Sequence, residues 1–185
     1  YIENDGSSAS YWYEMVALGN GDSEVLLTGL MDGSKQGDSS VRYIFSLLGV
    51  KTEFVASGGT GCPSAVRLTC NGRRVPRLEY DLAQTVVACC AAMGVPFHFT
   101  GLQTLKIKET DRIEALKAEL LKLGYVLRDV DGRELIWDGS RCEPQPQPVI
   151  STYDDHRMAL AFAPMALRLG RMMIDNPMVV TKSYP

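Results

Sequence analysis

Residues 81–99 read Asp81-Leu82-Ala83-Gln84-Thr85-Val86-Val87-Ala88-Cys89-Cys90-Ala91-Ala92-Met93-Gly94-Val95-Pro96-Phe97-His98-Phe99. A carboxylate opens the stretch, an apolar run fills it, a glycine closes the run and a β-rich segment follows. Asp is N-cap chemistry, because its side chain accepts the unpaired N–H groups of a first helical turn; Gly just past the end suits a left-handed C-cap. The run from Leu82 to Met93 is apolar nearly all round, which predicts a helix buried on most sides. The plan recurs twice. Asp5-Gly6-Ser7-Ser8-Ala9-Ser10 leads into Tyr11 to Leu18, Gly19 and the strand-like Glu24 to Leu27. Asp154-Asp155-His156-Arg157 leads into Met158 to Leu169, Gly170 and Met172 to Ile174. Asp5, Asp81 and Asp155 stand 76 and 74 positions apart, and the glycines at 19, 94 and 170 keep step with them. A period of this kind is one supersecondary unit used repeatedly.

A second helix follows within each complete copy. From Thr110 to Leu123, Ile113, Leu116, Leu120 and Leu123 form one apolar stripe. Lys117, Glu119 and Lys122 fall off that stripe and are expected to face water. Asp111 and Glu114 have capping-box spacing, with Asp in place of Ser or Thr, and Gly124 ends the helix. The first-copy counterpart is Ser39 to Leu48, ahead of Gly49. Strands are expected over 50–55, 65–70, 125–129 and 134–137. Asp131-Gly132 is a hairpin turn, and Gly58-Gly59-Thr60-Gly61 turns the earlier hairpin. Arg141 to Pro148 reads as an extended connector. The unit is thus helix–strand–helix–strand–strand with a further strand in front, and the fold class is α/β (α+β). Units fall near 1–72, 73–148 and 149–185. The third is short, with 30 residues after Asp155, and the chain opens on Tyr1 and not Met. The reading is a single domain, incomplete at its C-terminal end and cut from something longer.

Composition bounds the function. Of 185 residues, 45% are hydrophobic and 22% charged, an ordinary globular balance that argues against disorder. The formal net charge of −3 argues against a broad nucleic-acid surface, which needs a cationic excess. It leaves room for a small cationic pocket. No apolar run approaches the roughly 18 residues of a membrane span. Five cysteines, at 62, 70, 89, 90 and 142, form no Cys-x-x-Cys pair. They read as free thiols in a reducing compartment, the cytoplasm, and not as a disulfide framework or a zinc site. His98 alternates with Phe97 and Phe99 and reads as structural.

If the units pack around a pseudo-threefold axis, the three Asp-led helix starts converge and favour an anion. The plainer alternative is that the starts are simply capped and solvated. Lys106-Ile107-Lys108-Glu109-Thr110-Asp111-Arg112 is the densest charged cluster. Its spacing sets Lys108, Glu109 and Arg112 on one side of a first helical turn. Cations there oppose the helix dipole, and a bound phosphate or carboxylate would resolve the conflict. The alternative is a solvated helix start with a Glu109–Arg112 surface pair, worth about 0–1 kcal/mol. Arg157 repeats the theme in the first turn of the third helix, beside His156, which otherwise reads as an exposed capping residue. Lys182 holds the place after the third-copy strand that Lys106 to Thr110 hold in the second. Asp81 is either an N-cap or, partly desolvated near an anion site, a base for a substrate hydroxyl. Gly58 to Gly61 lack the Lys-Ser/Thr and helix of a phosphate loop. Ser7 to Ser10 read as capping residues, with no histidine to activate a nucleophile.

At these residues the chain resembles the 3-phosphoshikimate 1-carboxyvinyltransferases, also called 5-enolpyruvylshikimate-3-phosphate synthases. The resemblance rests on Asp5 to Tyr11, Gln36-Gly37-Asp38, Lys106 to Arg112, Tyr153 to Ala159 and Lys182 to Pro185, in order over nearly the whole chain. The UDP-N-acetylglucosamine enolpyruvyl transferases share the fold but not the Lys-Glu-Thr-Asp-Arg and Asp-His-Arg-Met-Ala motifs. The resemblance implies two similar domains, each of three βαβαββ units around a pseudo-threefold axis with buried helices inside, of which this chain is most of one. It implies transfer of the enolpyruvyl group of phosphoenolpyruvate to the 5-hydroxyl of 3-phosphoshikimate with release of phosphate, in the shikimate pathway of aromatic amino acid biosynthesis. No metal or organic cofactor is implied. Asp81 matches the base for the hydroxyl and Glu109 the residue moving the proton at C3. Asp81 and Lys108 would contact 3-phosphoshikimate, together with Thr104, which stands where many members carry Asn. Arg112 and Arg157 would grip the phosphoenolpyruvate carboxylate and Lys182 its phosphate, with His156 in support. The chain alone is expected to be inactive without the other domain. The competing reading is a non-catalytic domain of the same fold that keeps only anion binding.

Overall fold

The computed structural model describes residues 4–19, 21–55, 65–72, 75, 78–80, 84–108 and 110–182. The expected turn at Gly58 to Gly61, the cysteine at 62 and the two candidate catalytic residues, Asp81 and Glu109, lie outside them. The chain folds as two compact units, residues 1–75 and 76–185, so the first repeat stands by itself and the second and third share a unit.

In the first unit, α1 (Gly6–Leu18) is capped by Asp5, whose carboxylate accepts from Ser7 N at 3.1 Å and Ser8 N at 3.3 Å. Strand β1 (Glu24–Thr28), a 3₁₀ helix (Gly37–Ser40), α2 (Val41–Leu47), β2 (Val50–Val55) and β3 (Ala65–Cys70) follow. The strands form an antiparallel sheet in the order β1-β3-β2. Ala9, Tyr13, Val16 and Ala17 of α1, Ile44 and Phe45 of α2 and Val66 and Leu68 of β3 are buried, with the Tyr13 and Phe45 rings 5.5 Å apart. Helix α1 is less enclosed than its composition suggests, since Trp12 and Met15 reach solvent. Gln36 fastens the helix start: its Oε1 accepts from Gly6 N at 2.8 Å and its Nε2 donates to Asn4 O at 2.9 Å. Position 6 is tight for that reason, because a Cβ there would meet Asp38 and Gln36 at 3.3 Å.

The second unit carries one whole copy of the repeat: β4 (Leu78–Tyr80), α3 (Gln84–Met93), β5 (Phe97–Phe99), a 3₁₀ helix (Leu102–Ile107), α4 (Arg112–Lys122), β6 (Arg128–Val130) and β7 (Glu134–Trp137). That is β-α-β-α-β-β. Its sheet runs β4-β5-β7-β6, with β4 and β5 parallel and the other pairs antiparallel. Strands β5-β7-β6 repeat the β1-β3-β2 pattern of the first unit. The third copy begins with β8 (Val149–Ile150) and α5 (His156–Phe162), then a 3₁₀ turn (Ala163–Met165), α6 (Ala166–Leu169), β9 (Met173–Ile174) and a 3₁₀ helix (Pro177–Lys182). β8 and β9 pair in parallel as β4 and β5 do. Helix α3 is buried along Gln84 to Ala91 and packs on α5, whose Met158, Ala161 and Phe162 are enclosed.

Several local expectations need correction. The third apolar helix is broken into α5, a 3₁₀ turn and α6, because Pro164 has no N–H to continue the ladder. Gly94 takes positive φ as expected; Gly170 also does, but its ψ of −145° lies outside the left-handed helical region, and Gly19 is extended at φ −65°. The strand placed over 125–129 is displaced to Arg128–Val130; Tyr125 makes only an isolated bridge to Arg141, whose guanidinium lies 3.8 Å above its ring. The Asp131-Gly132 turn holds, with φ of 51° and 59°, and Arg133 N donates to Val130 O at 2.9 Å. His98 is structural, with Nε2 2.7 Å from Glu134 Oε2. Glu119, expected in water, is wholly buried.

Candidate active site

Helix α4 begins one residue after Asp111, which caps it by accepting from Ile113 N at 3.1 Å and Glu114 N at 3.2 Å. Lys108 therefore lies outside the helix. It ends the preceding 3₁₀ helix in an extended conformation, so Lys108 and Arg112 do not share a helical turn. Lys108 and Thr104 are both exposed.

Arg112 is not half of a surface pair. It is 3% exposed and turned inward onto Asp155, itself fully buried. Its Nε donates to Asp155 Oδ2 at 2.6 Å and its Nη2 to Oδ1 at 3.3 Å. This two-pronged pair fixes the guanidinium plane. Breaking one partner of such a pair strands a buried charge, at a cost of roughly 3–5 kcal/mol. With its amide turned to face donors, Gln84 at the start of α3 also accepts from Arg112 Nε at 3.1 Å.

Asp155 does two further things. It is the N-cap of α5, and its Oδ1 accepts from Arg157 N at 2.9 Å. Arg157 thus stands in the first turn of α5, half-buried, with its backbone tied to the carboxylate that holds Arg112. Lys182, at the end of its 3₁₀ helix, donates from Nζ to Asp154 O at 2.7 Å. The structure ties Arg112 and Lys182 by their side chains, and Arg157 by its backbone N–H, to the dipeptide Asp154-Asp155. His156 is not an exposed cap: that role is Asp155's, and the His156 Nδ1 is buried 4.0 Å from Asp155 Oδ1.

The support that α4 gives the loop presenting this dipeptide was silent in the sequence. Glu119 accepts from Tyr153 OH at 2.7 Å, from Ser151 N at 2.9 Å and from Lys122 Nζ at 2.6 Å. Lys122 also reaches Val149 O at 3.0 Å. Burial, followed by the bond to Glu119, pushes the Tyr153 hydroxyl up to about 12, so it stays a proton donor through the neutral range. Only the three-residue spacing of Glu119 and Lys122 was visible beforehand, and it is common on solvated helix faces.

Among the described residues, no cluster of three His, Cys, Asp or Glu is arranged to hold a metal ion, and no helix is long and apolar enough to cross a membrane. A separate pocket of about 40 Å³ in the first unit, between Ala9, Tyr13, Leu30, Met31 and Val66, contains none of the candidate residues.

The pattern of the family described as EPSP synthase (3-phosphoshikimate 1-carboxyvinyltransferase) matches residues 1–185. A 3-phosphoshikimate 1-carboxyvinyltransferase of Bacteroides fragilis is 53% identical over 190 aligned residues, covering all of this chain and 44% of the relative. That of Syntrophobacter fumaroxidans is 34% identical, covering all of this chain and 42% of the relative. The chain therefore spans less than half the length of these relatives. An EPSP synthase structure from Acinetobacter baumannii superposes with a TM-score of 0.71 at 18% identity, over 98% of this chain and 44% of that one. That structural likeness speaks to the fold, and the sequence match over the full chain speaks to ancestry: the chain belongs to the EPSP synthase family.

Proposed function

We propose that this chain supplies part of the active site of a 3-phosphoshikimate 1-carboxyvinyltransferase, the part that holds phosphoenolpyruvate. The observation that carries this reading is that Arg112 and Lys182 reach Asp154-Asp155 with their side chains while the same dipeptide anchors the backbone of Arg157 at the start of α5. Two planar forks and a point charge suit a small ligand that carries a carboxylate and a phosphate, and groups positioned in advance lower the cost of binding it. Arg112 enters the site already oriented by Asp155, so little ordering is left for the binding step.

In this reading the 5-hydroxyl of 3-phosphoshikimate adds to C2 of phosphoenolpyruvate as C3 takes a proton. The tetrahedral adduct then loses a proton from C3 and phosphate from C2, which restores the double bond. Asp81 takes the hydroxyl proton and Glu109 carries the proton at C3. Lys108 and Thr104 contact 3-phosphoshikimate, and His156 supports the cations. The fold places the start of α3 next to Arg112 through Gln84, three residues after Asp81, which supports a base close to the cations. Since the curated relatives are more than twice as long, the rest of the 3-phosphoshikimate site is assigned to sequence beyond these residues, as a second domain, and residues 1–185 alone are expected to release no phosphate. Free thiols at Cys70 and Cys142 fit a reducing compartment such as the cytoplasm.

The test is phosphate release with both substrates by a full-length synthase carrying these residues. Asp81→Asn should lower kcat by about 10²–10⁴-fold with the fold intact, the usual contribution of a positioned base. Near-normal turnover would remove Asp81 from the chemistry. Absence of turnover in the unaltered full-length protein, with anion binding retained, would leave the non-catalytic reading.

A further inference from the structure

Two consecutive non-glycine residues, Tyr153 and Asp154, hold φ of 53° and 55° in the left-handed region. Such a conformation is strained for a residue with a side chain and persists only where the surroundings over-determine it. The surroundings here are specific. Ser151 N and Tyr153 OH both donate to the buried Glu119, Thr152 N donates to Asp175 Oδ1 at 2.8 Å, and Asn176 Nδ2 to Asp154 Oδ1 at 3.0 Å. Asp155 N closes the turn onto Thr152 O at 2.8 Å. Beyond the turn stand Asp155, which holds Arg112, and Arg157.

Helix α4 therefore grips one loop at two points. Arg112 in its first turn takes Asp155, and Glu119, seven residues further along, takes Ser151 and Tyr153. Seven residues are two turns, so both side chains leave the same side of α4. Arg157 follows the grip on Asp155 directly, with its N–H on that carboxylate, so where its backbone stands depends on how the gripped segment 151–155 is held.

We propose that Glu119 is a positioning residue for phosphoenolpyruvate binding: acting through Tyr153, it holds the strained turn that fixes Arg157 and Lys182 against Arg112. This rests on the reading that those three cations bind phosphoenolpyruvate. It predicts a selective defect. Lys108 and Thr104 precede α4 and take no part in the turn, so the 3-phosphoshikimate side should be spared.

The experiment measures KM for each substrate, and kcat, in the full-length synthase with Glu119→Gln, the milder Tyr153→Phe, and Arg157→Lys. The two network variants should raise KM for phosphoenolpyruvate by roughly 5- to 100-fold, the range a misplacement on the order of 1 Å produces. KM for 3-phosphoshikimate should stay within about twofold. In the Glu119→Gln/Tyr153→Phe double variant the losses should be less than additive, because the two residues act through one bond. A merely structural role would instead lower the folded fraction, and hence apparent kcat, with both KM values unmoved. That result, or equal increases in both KM values, overturns the proposal. Normal phosphoenolpyruvate KM in the network variants beside a defective Arg157→Lys overturns the positioning role alone. A normal Arg157→Lys overturns the phosphoenolpyruvate reading and this inference with it.

Discussion

Glu14 lies on α1 with its side chain wholly inside the fold, and neither carboxylate oxygen meets a hydrogen-bond donor among the described residues. Burial pushes its carboxyl well above the ordinary value of 4.5. The folded state keeps the proton where the unfolded chain has lost it, so the unfolded state binds fewer protons above about pH 4.5 and stability falls as pH rises. The fall ends once pH passes the raised value in the folded state. Glu14→Gln removes the titration. The melting temperature of the variant relative to the parent should climb from acid to neutral pH, and a difference that stays flat over that range would contradict a buried neutral carboxyl. Single residues were legible in the sequence where their chemistry is local. Asp5, Asp111 and Asp155 cap the helices they precede, since a cap needs only its next three residues. Glu119 and Glu14 were not legible, because what encloses them comes from other elements; Ser151 is 32 positions from Glu119.

At the level of elements, α4 does the most. Its stripe of Ile113, Leu116 and Leu120 is buried as the period required, and the partners of Arg112 and Glu119 tie it to the turn before α5. Its start depends on Asp111. Asp111→Ala should destabilise the folded protein by about 0.5–2 kcal/mol, read as a lower melting temperature or denaturation midpoint. Replacement by Asn, which also caps, should recover most of the loss. Periodic elements were visible because period survives without context. The 3₁₀ helices that end at Ile107 and Lys182 were not foreseen, being too short to show one. Their outcome is that Lys108 is displaced from the turn it was expected to share with Arg112, and that Lys182 is delivered to Asp154 by an element of the same kind as the one preceding Lys108. The break at Pro164 was written in the sequence, but the apolar run continues on both sides and masks it.

At the level of the whole chain, the repeat organises what the elements do. The complete copy over 78–137 and the parallel β8-β9 pair show that the same strand–helix–strand start is used twice in the second unit, and the β1-β3-β2 sheet repeats its second half. Two of the three Asp-led helices, α3 and α5, pack on each other there. The repeat was readable because Asp and Gly recur in step, and equivalent positions in it picked out Arg112, Arg157 and Lys182; the partner of Arg112 was not readable, since no local rule joins it to a carboxylate 43 positions away. The central claim is that these three cations bind phosphoenolpyruvate. The most direct measurement is the affinity of the full-length synthase for phosphoenolpyruvate, titrated with 3-phosphoshikimate present, for the parent, Arg112→Lys and Arg157→Lys. A point charge cannot replace a planar fork, so each variant should bind at least about tenfold more weakly. Affinities within about twofold of the parent in both variants would contradict the account.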